Sequence, residues 1–346
     1  MDQDFVGVFE IAALAKVTPA AVTNWRSRFP DFPRPVSDLK SGPVFERDTI
    51  MQWLKKRRIP MSTVISFINL KGGVAKTTTT IAVAQMLDSE FHKRVLIVDL
   101  DPQTNATVML IGDDRWKQLN EKHQTVAQIF KDALSGQEKV FQLAESIQTK
   151  VGNVGDVQHL ALLPSSIELI DVQDNLATMD RGRFYAASPI ELLLRTLRAT
   201  LETNEYDYIL IDCPPSLGLV TLNGLRISDY YIIPTIPDFL STYGIPQIIG
   251  RIRDFSETIG KSIEPLGILA TKFRAQSPVH NNQLKILKQR KEAPLFNTIV
   301  PENSDIAGAA EYKPVSTMRQ KWGYGGQFDI YRALTEEIIG RINGGT

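Results

Sequence analysis

Beyond residue 62 the chain alternates between short apolar runs and stretches with a helical pattern. The runs are rich in β-branched residues and occupy residues 64–70, 94–101, 157–164, 206–213, 230–237, 266–273 and 295–301. Apolar residues follow one another in these runs without alternation, which is typical of strands that are covered on both faces. The pattern predicts an α/β fold, a doubly wound and mostly parallel sheet whose functional loops follow the carboxyl ends of the strands.

The residues before this alternation differ in character. They form short segments with a helical pattern, and a basic run at 55–58 gives way to Ile59-Pro60-Met61-Ser62. A chain of 346 residues is also long enough for about two domains. We therefore expect a small, mainly helical domain at residues 1–61 and the α/β domain at residues 62–346, with a helical insertion at about 113–155.

Charge and cysteine content exclude several classes of protein. Lys and Arg number 39, as do Asp and Glu, so the formal net charge is +0 and a nucleic-acid surface requires local segregation of charge. The single cysteine, Cys213, excludes a disulfide framework, a cysteine-based zinc site and a four-cysteine iron–sulfur cluster within one chain. No apolar run reaches the ~18 residues of a membrane span, and the N-terminus lacks the pattern of a secretion signal. We expect a cytoplasmic protein that does not enter the membrane.

A glycine-rich turn follows the first apolar run and precedes a helical stretch. Backbone amides at Gly72 and Gly73 can converge on a phosphate there, and the helix N-terminus adds partial positive charge. Lys76 is placed to reach the β- and γ-phosphates, and the Thr77 hydroxyl to coordinate Mg²⁺. The strict P-loop pattern has glycine at two positions that are occupied here by Leu70 and Ala75.

The same residues resemble the deviant Walker A motif of the ParA/MinD ATPases, in which position 75 is usually glycine. The resemblance implies that ATP and Mg²⁺ are the cofactors and that Lys71 crosses a nucleotide-sandwich homodimer to contact the partner's ATP. The nucleotide-binding residues it implies are Lys71, Gly72, Gly73, Val74, Ala75, Lys76, Thr77 and Thr78. We expect alanine at 75 to be tolerated in right-handed helical dihedrals and strained at positive φ. The departure then affects the hydrolysis rate more than nucleotide binding.

Two further motifs end apolar runs. Residues 98–107, VDLDPQTNAT, resemble the family's switch I, with Thr104 where glycine is usual, and the resemblance makes Asp101 the residue that positions the attacking water. In the motif at residues 208–218, four apolar residues lead to a Walker B aspartate, Asp212, which is expected to hold a Mg²⁺-bound water. By resemblance the catalytic residues are Lys71, Lys76 and Asp101. The family likeness extends over roughly 62–346.

The N-terminal segment 8–28 predicts two short helices in a helix-turn-helix arrangement. The residues that would face a major groove are Thr23, Asn24, Arg26 and Arg28. A turn-rich hairpin and another helix follow at 32–58, and together these segments resemble the winged helix-turn-helix of MerR and excisionase proteins. Residues 1–60 contain ten Lys/Arg and seven Asp/Glu, a net of +3. DNA binding is the prediction, and a small helical domain for dimerisation or docking is the alternative.

A second basic region lies at residues 246–292, which contain nine Lys/Arg and four Asp/Glu, a net of +5. The candidate DNA-binding residues are Arg251, Arg253, Lys272, Arg274, Lys285, Lys288, Arg290 and Lys291. ParA proteins bind DNA nonspecifically as ATP dimers near this part of the chain, so the resemblance implies an electrostatic DNA surface. A solvated helix face is the alternative.

The resemblance implies a ParA-type partition ATPase. ATP closes a homodimer that coats nucleoid DNA, and a ParB-like or cargo-adaptor protein stimulates hydrolysis, so that plasmid or chromosome DNA is segregated. The N-terminal module then binds an operator and represses the protein's own operon.

Three alternatives remain open from the sequence. The first is a positioning ATPase for a protein cargo such as a carboxysome or chemoreceptor cluster, and the second is an ATP-sensing transcription factor. The third is a MinD-like membrane-bound regulator, which the weakly apolar ending EEIIGRINGGT disfavours.

Overall fold

The structure, a computed structural model, describes residues 5–15, 19–29, 31–39, 42–56, 62–135, 139–178, 188–202 and 205–344. The chain separates into two compact units, residues 1–62 with 197–207, and residues 63–196 with 208–346. The segment 197–207 therefore groups with the N-terminal residues, which no feature of the sequence indicated. Among the described residues no helix is both long and apolar enough to cross a membrane.

The first unit is small and has an aromatic core. Its elements are β1 (Phe5–Val6), α1 (Val8–Leu14), α2 (Pro19–Arg28), β2 (Ser37–Leu39), β3 (Gly42–Glu46) and α3 (Arg47–Lys56). Within the described residues the strands form an antiparallel sheet in the order β1-β3-β2. The Trp53 ring centroid lies 4.7 Å from that of Phe32 and 5.7 Å from that of Trp25, and this cluster joins α2, α3 and the loop between α2 and β2.

The second unit contains the parallel sheet. Its strands are β4 (Thr63–Phe67), β5 (Val95–Asp99), β6 (Gln148–Thr149), β7 (Leu160–Leu163), β8 (Tyr208–Asp212), β9 (Tyr230–Thr235) and β10 (Glu264–Ala270). Its helices are α4 (Lys76–Ser89), α5 (Asn105–Ile111), α6 (Asp113–Glu121), α7 (Val126–Ser135), α8 (Leu143–Ser146), α9 (Leu169–Thr178), α11 (Leu219–Ile227), α12 (Phe239–Tyr243), α13 (Ile245–Ile259), α14 (Pro278–Lys288), α15 (Ser304–Gly308), α16 (Met318–Trp322) and α17 (Gln327–Ile342). The helix α10 (Leu192–Glu202) begins in this unit, and its residues from 197 onward are assigned to the first unit.

The order of the strands brings the predicted motifs to one place. Among the described residues the sheet runs β10-β9-β4-β8-β5-β7-β6, with every pair parallel except the edge pair β6 and β7. The strand β4, which precedes the glycine-rich turn, lies between β8 and β9, and β5 lies beyond β8. The carboxyl ends of β4, β5 and β8 therefore meet at one edge, and ligands bind at such switch points in open α/β sheets. The predicted doubly wound, mostly parallel sheet is confirmed.

Six of the seven apolar runs contain a strand, whereas the strand expected at 295–301 is wrong. That segment makes only isolated bridges at Leu295 and Pro301. The amides of Asn297 and Thr298 instead donate to the Glu337 carboxylate, at 2.8 and 3.0 Å. A side chain from α17 thus takes donors that a regular ladder would use, and the segment is irregular between its bridge to Ile268 of β10 and its bridge to Phe273 beyond that strand.

Candidate nucleotide site

The glycine-rich turn is fixed at its start by Asn69. The Asn69 amide group donates to the Pro234 carbonyl at 2.7 Å, and its Oδ1 accepts from the Lys71 amide at 3.0 Å. These two bonds fasten the turn to β9, the neighbouring strand. Among the described residues nothing lies within 4 Å of a Cβ added at Gly72 or Gly73. One face of the turn is therefore open to a ligand, as a phosphate loop requires.

A cavity of about 430 Å³ lies in front of this turn. Its described lining consists of Gly72, Gly73, Ala75, Lys76, Thr77, Thr78, Asp101, Gln103, Asn105, Val108, Met109, Pro215, Lys272 and Ala310. The structure thus brings six residues of the predicted phosphate loop together with Asp101. Val74 is buried beneath the loop, where the Thr271 hydroxyl donates to its carbonyl at 3.0 Å.

Lys76 and Asp101 face the same cavity. Burial lowers the pKa of Lys76, and the carboxylates of Asp212 and Asp101 act against this shift. Burial raises the pKa of Asp101, while the Gln103 amide, which donates to it at 2.9 Å, and the Lys76 charge oppose the rise. A carboxyl group that faces the same cavity as a lysine is a suitable acceptor or positioning group for a water molecule.

Asp99 and Asp101 are two residues apart but have different surroundings. Asp99 is fully buried and accepts from the Asp101 amide at 3.0 Å and from the Thr107 amide and hydroxyl at 3.0 and 2.7 Å. Burial raises the pKa of Asp99 to about 7 despite these bonds. Its oxygens are occupied in tying the end of β5 to α5, so Asp101 is the carboxylate that remains available to the cavity.

Asp212 lies at the end of β8 and is fully buried. Neither carboxylate oxygen completes a hydrogen bond of normal geometry within the part of the chain that is described. Burial raises the pKa of Asp212 well above its usual range, and the Asp99 carboxylate adds to this, whereas the Thr77 hydroxyl and Lys76 oppose it. An orphaned buried carboxylate beside a threonine hydroxyl fits the donor set of a hydrated Mg²⁺ ion, because hard cations prefer oxygen ligands.

Both positions at which this chain replaces the family's glycine have left-handed backbone. Ala75 has φ 63° and Thr104 has φ 57°, and each directly precedes a helix, α4 and α5 respectively. Ala75 therefore does not adopt the right-handed dihedrals that would allow alanine to replace glycine without strain. A left-handed conformation costs a residue with a Cβ about 1–2 kcal/mol, and β-branched Thr104 is a rarer occupant still. The chain thus keeps a backbone conformation that suits glycine at both positions, although neither residue is glycine.

Lys71 lies outside the described lining of the cavity and is bound within its own subunit. Its Nζ donates to the Ser241 hydroxyl at 2.7 Å and lies 3.3 Å from Asp238 Oδ2. Asp238 is the N-cap of α12, where its carboxylate also accepts from the Ser241 amide at 2.7 Å. Sequence reasoning missed both partners. The signal was the Asp-x-x-Ser spacing directly after the apolar run at 230–237, which is typical of a capped helix start.

The basic residues of the second region fall into different environments. Arg251 and Arg253 on α13, and Lys285 and Lys288 on α14, are exposed. The Arg274 guanidinium is bound through two nitrogens to Glu302, whereas Lys272 lines the nucleotide cavity. Arg290 is partly buried and Lys291 is exposed.

The N-terminal candidates are only partly described. The Thr23 hydroxyl donates to the Pro19 carbonyl at 3.1 Å, and the Arg26 guanidinium lies 5.4 Å from the centroid of the Phe45 ring. The side chains of Asn24 and Arg28 lie outside the described residues.

Known proteins resemble this chain over most of its second unit. An AAA domain family matches residues 62–265. The chromosome partitioning protein ParA of Myxococcus xanthus is 30% identical over 253 residues, which cover 73% of this chain and 80% of that protein. The chain belongs to the ParA/MinD-type family of P-loop ATPases.

Two further similarities concern this ParA/MinD-type ATPase. The sporulation initiation inhibitor protein Soj of Bacillus subtilis is 29% identical over 257 residues, which cover 74% of this chain and 90% of that protein. The crystal structure of cobyrinic acid a,c-diamide synthase from Mycobacterium smegmatis with a bound ATP analog and magnesium has a TM-score of 0.61 and 25% identity. It covers 81% of this chain and 94% of that one. The predicted family is confirmed, and the chain is an enzyme of the P-loop ATPase type.

Proposed function

We propose that this ATPase is a partition protein that dimerises on Mg²⁺–ATP, binds DNA and hydrolyses ATP when a partner protein stimulates it. The partner is a ParB-like protein or a cargo adaptor, and the cargo is plasmid or chromosome DNA. The observation that carries the proposal is the position of Lys71 at the edge of an otherwise complete phosphate site, on a part of the surface that is rich in exposed apolar residues. A cytoplasmic, nucleoid-associated location follows from the DNA binding.

Within the site each residue has a separate role. The amides of the turn and Lys76 bind the phosphates, and Asp101 orients the water that attacks the γ-phosphate. Thr77 directly and Asp212 through water would hold Mg²⁺, which when bound neutralises charge on the phosphate oxygens. Asp99 keeps Asp101 in place through the Asp101 amide. The bound ATP analog and magnesium of the cobyrinic acid a,c-diamide synthase support these cofactors.

Exposed apolar residues follow strands at the carboxyl edge of the sheet, the edge at which Lys71 also lies, and support homodimerisation. They follow three strands, β4, β7 and β9, and comprise Leu70, Ile167, Ile170, Phe239, Leu240 and Tyr243, with exposures of 36% to 74%. We name this set the carboxyl-edge patch. Large apolar residues that are concentrated on one surface mark an association site. A second copy with the same patch would cover both patches and bring each Lys71 to the other subunit's cavity, which is the two-fold arrangement expected of a homodimer.

DNA binding is proposed at two surfaces. The exposed Arg251, Arg253, Lys285 and Lys288 offer cations without an element that reads base edges, so they would contact phosphates of any sequence. In the first unit, α2 with Thr23, Asn24, Arg26 and Arg28 would read one operator through the major groove, with the β2–β3 hairpin as the wing. Operator binding there would repress the protein's own operon.

The test of the proposed function is nucleotide-dependent association. Mass measurement in solution should show a dimer with Mg²⁺ and a slowly hydrolysed ATP analog and a monomer with ADP. Lys76→Ala should lose nucleotide binding, whereas Lys71→Ala should bind nucleotide and fail to form a stable, active dimer. Equal loss of ATP affinity in the two variants would place Lys71 in its own subunit's site and contradict the sandwich. DNA binding at one operator only, with hydrolysis unaffected by any partner, would favour an ATP-sensing transcription factor instead.

A further inference from the structure

A second cavity, of about 490 Å³, lies between α15 and α16. Its lining consists of Asp305, Gly308, Ala309, Glu311, Lys313, Val315, Gln320, Lys321, Gly323, Tyr324 and Gly325. It is distinct from the nucleotide cavity but adjacent to it, because Ala310 lines the nucleotide cavity while its neighbours Ala309 and Glu311 line this one. Its volume falls within the range of small-molecule sites. We name it the α15–α16 cavity.

Lys321 is the unusual member of this lining. The residue is 7% exposed, and its Nζ donates to the Glu311 carbonyl at 2.8 Å. No carboxylate of the described chain lies within ion-pairing distance of this amine. Lysine is almost never buried without a partner of opposite charge, because removing its charge from water is costly. Burial accordingly lowers its pKa, against the attraction of the Glu311 carboxylate.

The acidic groups of the α15–α16 cavity already have other partners. The Glu311 carboxylate pairs with exposed Lys313 at 2.6 Å, and Asp305 accepts from the Gln327 side chain at 3.2 Å. Lys321 is therefore the buried cation of the cavity, and a carbonyl oxygen is its recorded hydrogen-bond acceptor within the described residues. An amine has three donors, so a ligand oxygen can be accommodated without displacing the Glu311 bond.

The helix α16, which carries Lys321, is fixed to the rest of the second unit by its neighbouring residue. Trp322, the next residue, is fully buried and donates to Gln85 of α4 at 2.8 Å. Beyond it the chain turns at Gly323, with φ 102°, where an added Cβ would lie 2.8 Å from the Gln327 side-chain oxygen. Tyr324 follows and is 71% exposed at the rim. The amine is thus presented from a fixed backbone, with an aromatic ring beside the opening.

We propose that the α15–α16 cavity binds a small molecule that carries a carboxylate or a phosphate group, with Lys321 as the cation that recognises it. The site is additional to the nucleotide cavity, and the proposal does not depend on the partition function. The anionic group of the ligand supplies the missing counter-charge and accepts a charge-assisted hydrogen bond from the buried Lys321 ammonium. Tyr324 offers a hydroxyl and an aromatic face to the remainder of the ligand.

Titration calorimetry on the full chain, saturated with ADP to fill the phosphate loop, tests the site. Phosphate and pyrophosphate form one arm, and succinate and citrate form the other, so the arm that binds identifies the group. Lys321→Met should weaken that binding at least about tenfold, because a hydrogen bond to a charged group is lost. Lys313→Met, the matched change at the exposed lysine of the same cavity, should alter it less than about threefold. Unchanged affinity in Lys321→Met, or no binding of any probe at ~10 mM, would overturn the proposal.

A second measurement does not require the variant to fold. Limiting amine-reactive reagent is applied to the unmodified protein, and labelling of each lysine is quantified by peptide mass spectrometry. The probe that binds should reduce labelling of Lys321 at least about threefold and leave Lys313 nearly unchanged, since the charged bond is made by Lys321. Equal labelling of Lys321 with and without the probe would show that this lysine only braces the Glu311 carbonyl.

Discussion

Lys71 and Asp238 form an ion pair within one subunit, with Nζ 3.3 Å from Oδ2, although they are 167 residues apart in sequence. Burial alone would raise the pKa of Asp238, but the Ser241 amide and hydroxyl and then Lys71 outweigh it and hold the pKa below its usual value. Asp238 is therefore charged at neutral pH. For Lys71 to reach a second subunit's nucleotide it must first leave this pair, so the contact opposes the proposed dimer.

Asp238→Asn should make ATP-dependent dimerisation easier. Asparagine is as good an N-cap as aspartate, so α12 keeps its start while the charge that holds Lys71 disappears. The dimer should form at a several-fold lower protein concentration, which sedimentation velocity with a slowly hydrolysed ATP analog measures. Lys71→Ala/Asp238→Asn should show no such gain. An unchanged dimer constant in Asp238→Asn would mean that the ion pair does not restrain Lys71.

Ala75→Gly should stabilise the protein, although the same change inside a helix usually destabilises it. Relief of the left-handed strain outweighs the extra freedom of glycine in the unfolded chain, and we expect a gain of about 0.5–1 kcal/mol. Urea unfolding measures it. Ala84→Gly, inside α4, is the matched control and should lose at least about 1 kcal/mol. A loss of stability in Ala75→Gly would show that the positive φ at this position carries no strain.

Asp101→Ala should slow ATP hydrolysis by ~10²–10⁴-fold while nucleotide binding through Lys76 is retained. The reason is that Asp101 faces the cavity and Asp99 does not. Single-turnover hydrolysis and equilibrium binding of labelled ATP separate the two effects. Asp99→Ala, by contrast, should lower the free energy of unfolding, because three donors lose their acceptor. Near-normal turnover in Asp101→Ala would remove its proposed role.

The raised pKa of Asp99 predicts a pH dependence of stability. Burial raises this pKa from 3.8 to about 7, so between these values the folded chain binds a proton more tightly than the unfolded chain. The contribution of Asp99 to the free energy of unfolding should thus fall as pH rises from about 4 to about 7. Asp99→Asn should flatten the curve by up to about 1.4 kcal/mol per pH unit. Urea unfolding across this range measures it, and parallel curves for the two proteins would contradict the raised pKa.

The salt dependence of binding to random DNA should distinguish free cations from paired ones. Each phosphate contact that is lost reduces the slope of log K against log[salt] by about 0.9. Arg251→Ala and Lys285→Ala should each reduce it by about that amount. Arg274→Ala should have less effect, because its guanidinium is bound to Glu302. Slopes in Arg251→Ala and Lys285→Ala that equal the slope of the unmodified protein would show that these residues of α13 and α14 do not contact DNA. The double variant Thr23→Ala/Arg26→Ala should instead lose operator preference and keep the slope on random DNA.

The position of the candidate phosphate site in the fold could be predicted because its signals are local. Gly72, Gly73, Lys76 and Thr77 are consecutive or nearly so between a buried strand and a helix, and this arrangement leaves few other structures for them. The same holds for the strands, since continuous apolar runs need two covered faces. The irregularity at 295–301 could not be predicted, because it depends on Glu337 from a helix that folds back across the sheet edge.

The sequence alone could not predict contacts between residues that are far apart in the chain, nor could it predict individual backbone dihedrals. The pairing of Lys71 with Asp238 requires β9 to lie beside β4, a neighbour relation that no local pattern encodes. The positive φ of Ala75 and Thr104 contradicts the preference of both residue types. It follows only from the geometry of the surrounding turns, which the residue types themselves do not indicate.

Both margins of the sheet resist further strand addition. At one margin β6 is two residues long and runs antiparallel to its neighbour. At the other, the segment 295–301 gives its amides at Asn297 and Thr298 to Glu337, so a newly arriving chain finds no continuous row of donors. Copies of the chain are thereby prevented from joining edge to edge into a continuous sheet. We therefore expect the proposed homodimer to stop at two subunits rather than to polymerise through its sheet.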